Sequence, residues 1–261
     1  MTTPIYSPLQ IREVFHLEFL RWFARKLEVD RYVLKGGINL RLFFKSFRYS
    51  EDMDIDIVGT QVEKVKKTVM EILATRGFTD SLKSFGIDSI VAPDLAKAKQ
   101  TQTTQRFKIH LSTAAGEDLF TKVEFSRRGF KGTTVAELVS GSVLRAYKMA
   151  PFIVPHYDSA SAVAQKIQAL AGRVAIEARD VFDLFLLSSQ YEPKRNKIEV
   201  NRTTLKTAHD NIFLIEFTQF RNQVVSYLAL EDQKTFSTPA SWDEIKLKVA
   251  HFLEEFGYEK K

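Results

Sequence analysis

The chain has 261 residues, 44% of them hydrophobic and 21 of them phenylalanine, enough apolar material for the core of one large globular domain or two small ones. It contains no cysteine, which excludes disulfides, thiolate metal sites and a cysteine nucleophile; 38 Lys+Arg against 32 Asp+Glu leave a net charge of +6, which suits a phosphate-bearing partner but also serves plain solubility. The start "MTTPIYSPLQIREVF" lacks the basic-then-apolar order of a signal peptide, and no apolar run approaches the roughly 18 residues of a membrane span, so a soluble, cytoplasmic protein is expected.

Residues 9–27 carry Ile11, Val14, Phe15, Phe19, Trp22 and Phe23 at helical spacing, with Arg12, Glu18, Arg21 and Arg25 among them, which predicts an amphipathic helix on a core. A short apolar run over 32–34 is stopped by Gly36-Gly37, and helical period resumes over 38–44: strand or turn, tight loop, helix. Residues 53–58 alternate as a strand and 62–73 repeat as a helix, while Phe107/Ile109/Leu111 and Val123/Phe125 mark two more strands. From Ser159 onward the pattern is helical, over 160–171, 176–187, 211–228 and 242–256, with breaks at "YEPKRNK" and "LEDQKTFSTPAS". The expected organisation is an α+β fold: a first domain over 1–150 with a mixed sheet and flanking helices, then a helical domain over 151–261. "KMAPFIVPHYDSAS" is the expected hinge.

Asp52, Asp54 and Asp56 alternate with Met53, Ile55 and Ile57, so on a strand the carboxylates share one face while the apolar side chains enter the core. Neighbours on that face lie about 7 Å apart at Cα, close enough to converge on a hard cation, which would offset their mutual repulsion. The alternative is a solvated edge strand whose charges discourage aggregation. Just upstream, Gly36-Gly37 opens a helix, and a helix start after a glycine turn offers free N–H groups and partial positive charge to a phosphate. A lone Gly-Gly is more often just a tight turn. Together, loop and strand could hold a triphosphate and its metals.

"LKGGINLRLFF" followed by "FRYSEDMDIDIV", with "AQKIQALAGR" and "RDVFDLFLL" downstream, resembles the four ordered motifs of the AbiEii-type nucleotidyltransferases, toxins of bacterial toxin–antitoxin systems. The resemblance spans residues 34–187. It implies a nucleotidyltransferase-like fold in which the helical half completes the active-site cleft. Gly36 and Gly37 would hold nucleotide phosphates, Asp52 and Asp54 would bind Mg²⁺, Asp56 would assist, and Asp180 would work at the active site. Lys166, in the Lys-x-x-Ala motif, would steady the triphosphate, although a lysine there is ordinarily a solvated helix residue. For Asp180 the plain alternative is a surface ion pair with Arg173 or Arg179. Arg41, one turn after the glycines, is a further candidate for a phosphate. The family's hydroxyl residue after the glycines is Ile38 here, so a donor is missing unless Asn39 or Ser50 replaces it.

Glu124 would complete the metal site if its strand neighbours that of Asp52 and Asp54; otherwise it is a cross-strand partner for Arg106 or Lys108. The five histidines show no metal-ligand spacing, and neither a G-x-S-x-G elbow nor a Walker lysine loop is present. The expected activity is therefore Mg²⁺-dependent transfer of a nucleotide from an NTP to RNA, particularly the tRNA 3′ end, by a toxin with a cognate antitoxin. Lys35, Arg41, Lys45, Arg48, Arg127, Arg128 and Lys131 are the expected RNA contacts. The competing classes are nucleotidyl or phosphoryl transfer to a protein hydroxyl and a catalytically silent nucleotide- or RNA-binding module.

Overall fold

In the computed structural model, which describes residues 6–96, 98–191 and 200–258 (of 256–258 the backbone alone), helix α1 (Pro8–Phe23) begins where two residues cap each other. The Ser7 side chain accepts from the Gln10 N–H and the Gln10 side chain accepts from the Ser7 N–H, with Pro8 pre-set for the first helical position. Val14, Phe15, Phe19 and Phe23 from its apolar stripe are fully buried.

The chain forms two compact units: Met1–Phe43, Tyr49–Phe130 and Thr134–Tyr157 make the first, and Phe44–Arg48, Lys131–Thr133 and Asp158–Lys261 the second. The first contains α1, β1 (Tyr32–Lys35), α2 (Gly36–Phe43), β2 (Asp52–Ile57), α3 (Val62–Ala74), α4 (Arg76–Lys83), β3 (Ile87–Val91), β4 (Thr104–Thr113), β5 (Asp118–Ser126), β6 (Thr134–Leu138), α5 (Gly141–Ala146) and β7 (Ile153–Tyr157). Its seven strands form one mixed sheet in the order β3-β4-β5-β2-β1-β7-β6, with β2/β5 and β1/β7 parallel and the remaining pairs antiparallel. Met53, Ile55, Phe107, Ile109, Val123 and Phe125 point from the sheet into a core shared with α1, α3 and α4, as the alternation predicts.

The expected hinge is in part a strand. Residues 153–157 pair with β1 on one side and β6 on the other, and Pro155 sits within the strand opposite Ala136. Two prolines obscured an apolar run that the sheet uses, and the units divide just after it, at Tyr157 and Asp158.

The second unit holds α6 (Ser159–Gly172), α7 (Ala178–Ser188), α8 (Arg202–Ile212), α9 (Phe217–Gln223), α10 (Leu230–Phe236) and α11 (Pro239–Tyr258). Asp158 caps α6 and Asn201 caps α8, each side chain accepting from a first-turn N–H. The helix expected over 211–228 is instead the end of α8, then α9 and a 3-10 turn (Val225–Tyr227), because Phe220, Val224, Val225 and Leu228 reach the core from separate short pieces. The expected break at "LEDQKTFSTPAS" contains α10, which buries no residue completely and so leaves little apolar signal. The break expected at "YEPKRNK" falls mostly on 192–199, outside the described residues. Among the described residues no helix is long and apolar enough to cross a membrane.

Candidate active site

β1 ends at Lys35 and the chain turns at Gly36, whose φ of +67° is a conformation that side chains rarely tolerate. A Cβ there would also come within 3.1 Å of Asp54 Oδ2, so the turn needs glycine both for its backbone and for its contact with the carboxylate. The helix α2 that follows thus starts against β2, where Lys35 is the register partner of Asp54.

β2 carries its aspartates outward, as expected, but the three have different partners. Asp56 is buried and satisfied: Lys35 Nζ donates to its Oδ1 at 2.5 Å and the Tyr157 hydroxyl donates to its Oδ2 at 2.7 Å. It is a structural carboxylate that ties β1, β2 and β7 together. Asp52, half-exposed, pairs with Lys122 at 2.8 Å. Asp54 alone has neither hydrogen bond nor ion pair among the described residues. Burial is the main reason that its carboxyl is held above the usual range, and the charges of Glu124 and Asp52 add to it against the opposing pull of Lys35 and Lys122.

Glu124 lies on β5 directly beside Asp54 in the parallel ladder, so the condition for a third carboxylate is met. Its side chain also pairs with Arg106 at 2.7 Å, so the cross-strand alternative holds as well. With Asp52 turned to Lys122 and Glu124 to Arg106, no three acidic or imidazole groups converge on a metal-sized point among the described residues. The donor set nonetheless fits a divalent cation: a half-buried carboxylate without an ion pair stands between two others whose partners are exchangeable lysine and arginine side chains.

Other expected residues are occupied. Arg41 grips Glu13 through Nε at 2.5 Å and stacks on Tyr49, while Tyr147 donates to the same Glu13 at 2.6 Å, so Arg41 has a structural partner in this unit. Neither Asn39 nor Ser50 replaces the hydroxyl missing at Ile38. Asn39 is buried, donating to the Tyr157 carbonyl and lying 3.0 Å from His156 Nδ1, and the Ser50 hydroxyl donates to the Asp52 carbonyl. Ile38 itself is buried in the core.

In the helical unit, Lys166 on α6 donates to Asp180 Oδ1 at 2.9 Å and contacts Asp183 Oδ2 at 2.6 Å, both aspartates lying on α7 and fully buried. Arg48 holds Asp183 through Nε and Nη2, and Arg173 lies 3.3 Å from Asp180. Burial opposes the lysine charge, yet Asp180 and Asp183 outweigh it and raise the Lys166 pKa. Burial likewise opposes ionisation of Asp183, and Arg48 and Lys166 outweigh it and lower the Asp183 pKa. Lys166 is therefore not a solvated helix residue, and Asp180 meets the exposed Arg173 from a buried position. The engagement of Arg48 also removes it from the expected RNA contacts. Sequence alone hid two partners: Lys122, visible only as sharing a strand face with Glu124, and the role of Arg48, which is remote in sequence from Asp183.

The sequence over residues 18–261 matches the family profile described as nucleotidyl transferase AbiEii toxin, type IV toxin–antitoxin system. The chain belongs to the AbiEii nucleotidyltransferase toxin family. No curated protein matches it. Its fold is similar to that of MenT4, a nucleotidyltransferase toxin from Mycobacterium tuberculosis H37Rv, at 18% identity and a TM-score of 0.58, over 95% of this chain and 84% of that one. It is also similar to JHP933 from Helicobacter pylori, at 17% identity and a TM-score of 0.56, over 97% of this chain and 96% of that one. Membership makes the chain a nucleotidyltransferase-type enzyme of a toxin–antitoxin context.

Proposed function

We propose that this AbiEii-family protein transfers a nucleotide from an NTP to RNA, particularly to the tRNA 3′ end, in the cytoplasm, as the Mg²⁺-dependent toxin of a pair with a cognate antitoxin. The observation that carries the reading is Asp54: half-buried, without an ion pair or hydrogen bond among the described residues, and flanked by Asp52, Glu124 and the glycine turn. Asp52 and Asp54 would hold the cation, with Glu124 joining once it leaves Arg106, and the glycine turn would receive phosphate oxygens. Bound there, Mg²⁺ would supply charge neutralisation at the α-phosphate and the leaving pyrophosphate. The acceptor hydroxyl oxygen forms the new bond to the α-phosphorus as the bond to pyrophosphate breaks, and its proton passes to solvent. Lys122 and Lys35 would moderate the negative charge collected around Asp54. The family resemblance adds Lys166 and Asp180 as residues required for transfer.

The test incubates the protein with each α-labelled NTP, total RNA and Mg²⁺, with a chelator in a parallel reaction. Label in RNA that disappears with chelator supports the reading. Label in protein alone moves the acceptor to a protein hydroxyl, and no label from any NTP overturns transfer.

A further inference from the structure

Next to the carboxylates, the outward face of the sheet carries Phe120, His110 and Lys108, which no part of the transfer chemistry uses. Phe120 on β5 is 63% exposed, although its neighbours Leu119 and Thr121 are buried. Its ring stacks on His110 of β4 at 4.7 Å between centroids, and the Val91 of β3 that pairs with His110 is itself 52% exposed. His110 is held in place by Asp118, whose Oδ1 lies 2.7 Å from its Nε2, so the stacked pair is oriented before anything binds. A large exposed aromatic stacked on an imidazole gains little stability from its position, because one ring face remains in water.

The face carries Asp118 and the carboxylates of the site as well as three cations, and among those cations Lys108 is the one left for an anion. Lys108 and Lys122 stand directly opposite each other in the β4/β5 ladder, where like charges destabilise the pairing. Lys122 is relieved by Asp52, but Lys108 is exposed and has no ion pair among the described residues. Phe120 lies two residues from Lys122 on the same face, about 7 Å along the strand, and Lys122 is the register partner of Asp52. These residues therefore lead to the proposed metal site.

We propose that Phe120 and His110, with Lys108 beside them, form a docking platform for the unpaired end of a single-stranded RNA, a base stacking on Phe120 and a backbone phosphate lying against Lys108. The proposal rests on RNA being the acceptor and adds how its end is presented. Stacking on a sheet-borne aromatic with flanking cations is sequence-tolerant and needs an unpaired strand, since bases inside a duplex offer no free face.

The probe is a short fluorescein-labelled, unpaired oligoribonucleotide, and its affinity is read by anisotropy at several salt concentrations without NTP. Phe120→Ala should raise Kd about five- to hundredfold and Phe120→Tyr should restore it. Lys108→Ala should flatten the salt dependence by about one unit of slope. Phe213→Ala, which removes an aromatic that is 48% exposed in the helical unit, should change neither, and all variants should melt with wild type because the altered side chains are exposed. Wild-type affinity in Phe120→Ala overturns the platform and leaves RNA as the acceptor. A wild type that labels RNA without binding the oligonucleotide does the same. Label found in protein and never in RNA overturns the acceptor reading itself, and the platform with it.

Discussion

Glu124 and Asp54 are register partners in the parallel ladder between β5 and β2, two carboxylates side by side with a lysine–aspartate pair, Lys122 and Asp52, as the neighbouring rung. Asp54 is the member without an ion pair among the described residues. After burial, the charges of Glu124 and Asp52 are what hold its carboxyl up. A fold that keeps such a group has a reason outside its own stability.

The consequence is measurable with Asp54→Asn. A carboxyl raised in the folded state above its unfolded value, 3.8, contributes stability below that value and loses it as the pH rises through the folded value. At neutral pH the ionised Asp54 is thus a cost, and Asp54→Asn should melt at or above wild type there, with the difference shrinking towards acid. Mg²⁺ should raise the melting temperature of wild type and not of the variant. Nucleotide transfer should fall by about two to three orders of magnitude or more. Retained transfer, or equal Mg²⁺ stabilisation of both proteins, would remove Asp54 from the site.

Glu124 has two candidate roles, and a pair of variants separates them. If Glu124 joins Asp54 around the cation, Glu124→Gln should lower kcat by about a hundredfold, whereas Arg106→Gln, which frees the same carboxylate, should leave it unchanged or higher. If Glu124 serves only Arg106, both variants lose the same partly exposed ion pair, worth about 0–1 kcal/mol, and transfer is equal in the two. Steady-state rates with one NTP decide between them.

The carboxylate strand was legible in the sequence because period-two alternation fixes which side chains share a face, and Asp52, Asp54 and Glu124 required only that β2 and β5 be neighbours. What the sequence could not show is which charge meets which. Arg41 looked like a phosphate contact one turn after the glycines, yet Glu13, far upstream, captures it. Arg48 looked like part of a basic patch and is a buried partner of Asp183. Pairings between residues remote in sequence follow from tertiary packing, which no local period records. β7 was hidden for a different reason: Pro155 reads as a strand breaker, and here it is accommodated inside the sheet.

Arg127 illustrates the same limit and bears on the expected RNA contacts. It donates to Gln105 Oε1 at 2.9 Å and to the Thr60 carbonyl, and burial lowers its pKa. Arg127→Ala should cost about 1–3 kcal/mol of stability by leaving these acceptors unpaired, without changing the salt dependence of oligoribonucleotide binding. Arg128 next to it is exposed, so Arg128→Ala should spare stability. Urea melts beside anisotropy titrations check both. A shallower salt slope for Arg127→Ala would return it to the RNA path.

The buried cluster of the helical unit yields the largest predicted loss. Asp183 receives Arg48 through both of its oxygens and also Lys166, so Asp183→Ala strands two enclosed cations and should cost about 3–5 kcal/mol. Its folded pKa lies below the unfolded value of 3.8, so the stability it contributes is present above that value and is lost as the pH falls through the folded one. Acid should therefore destabilise wild type more than Asp183→Asn, the isostere that has no carboxylate to protonate. Lys166→Met separates structure from chemistry. Replacing the cation by a flexible apolar chain of similar length leaves Asp183 with Arg48 but Asp180 with the exposed Arg173 alone, so the melting temperature should drop clearly while the fold persists. If Lys166 is required for transfer, kcat should then fall by about a hundredfold or more at unchanged circular dichroism. A variant that transfers at the wild-type rate would leave Lys166 as a purely structural counter-ion of α7 and confine the chemistry to groups other than this lysine.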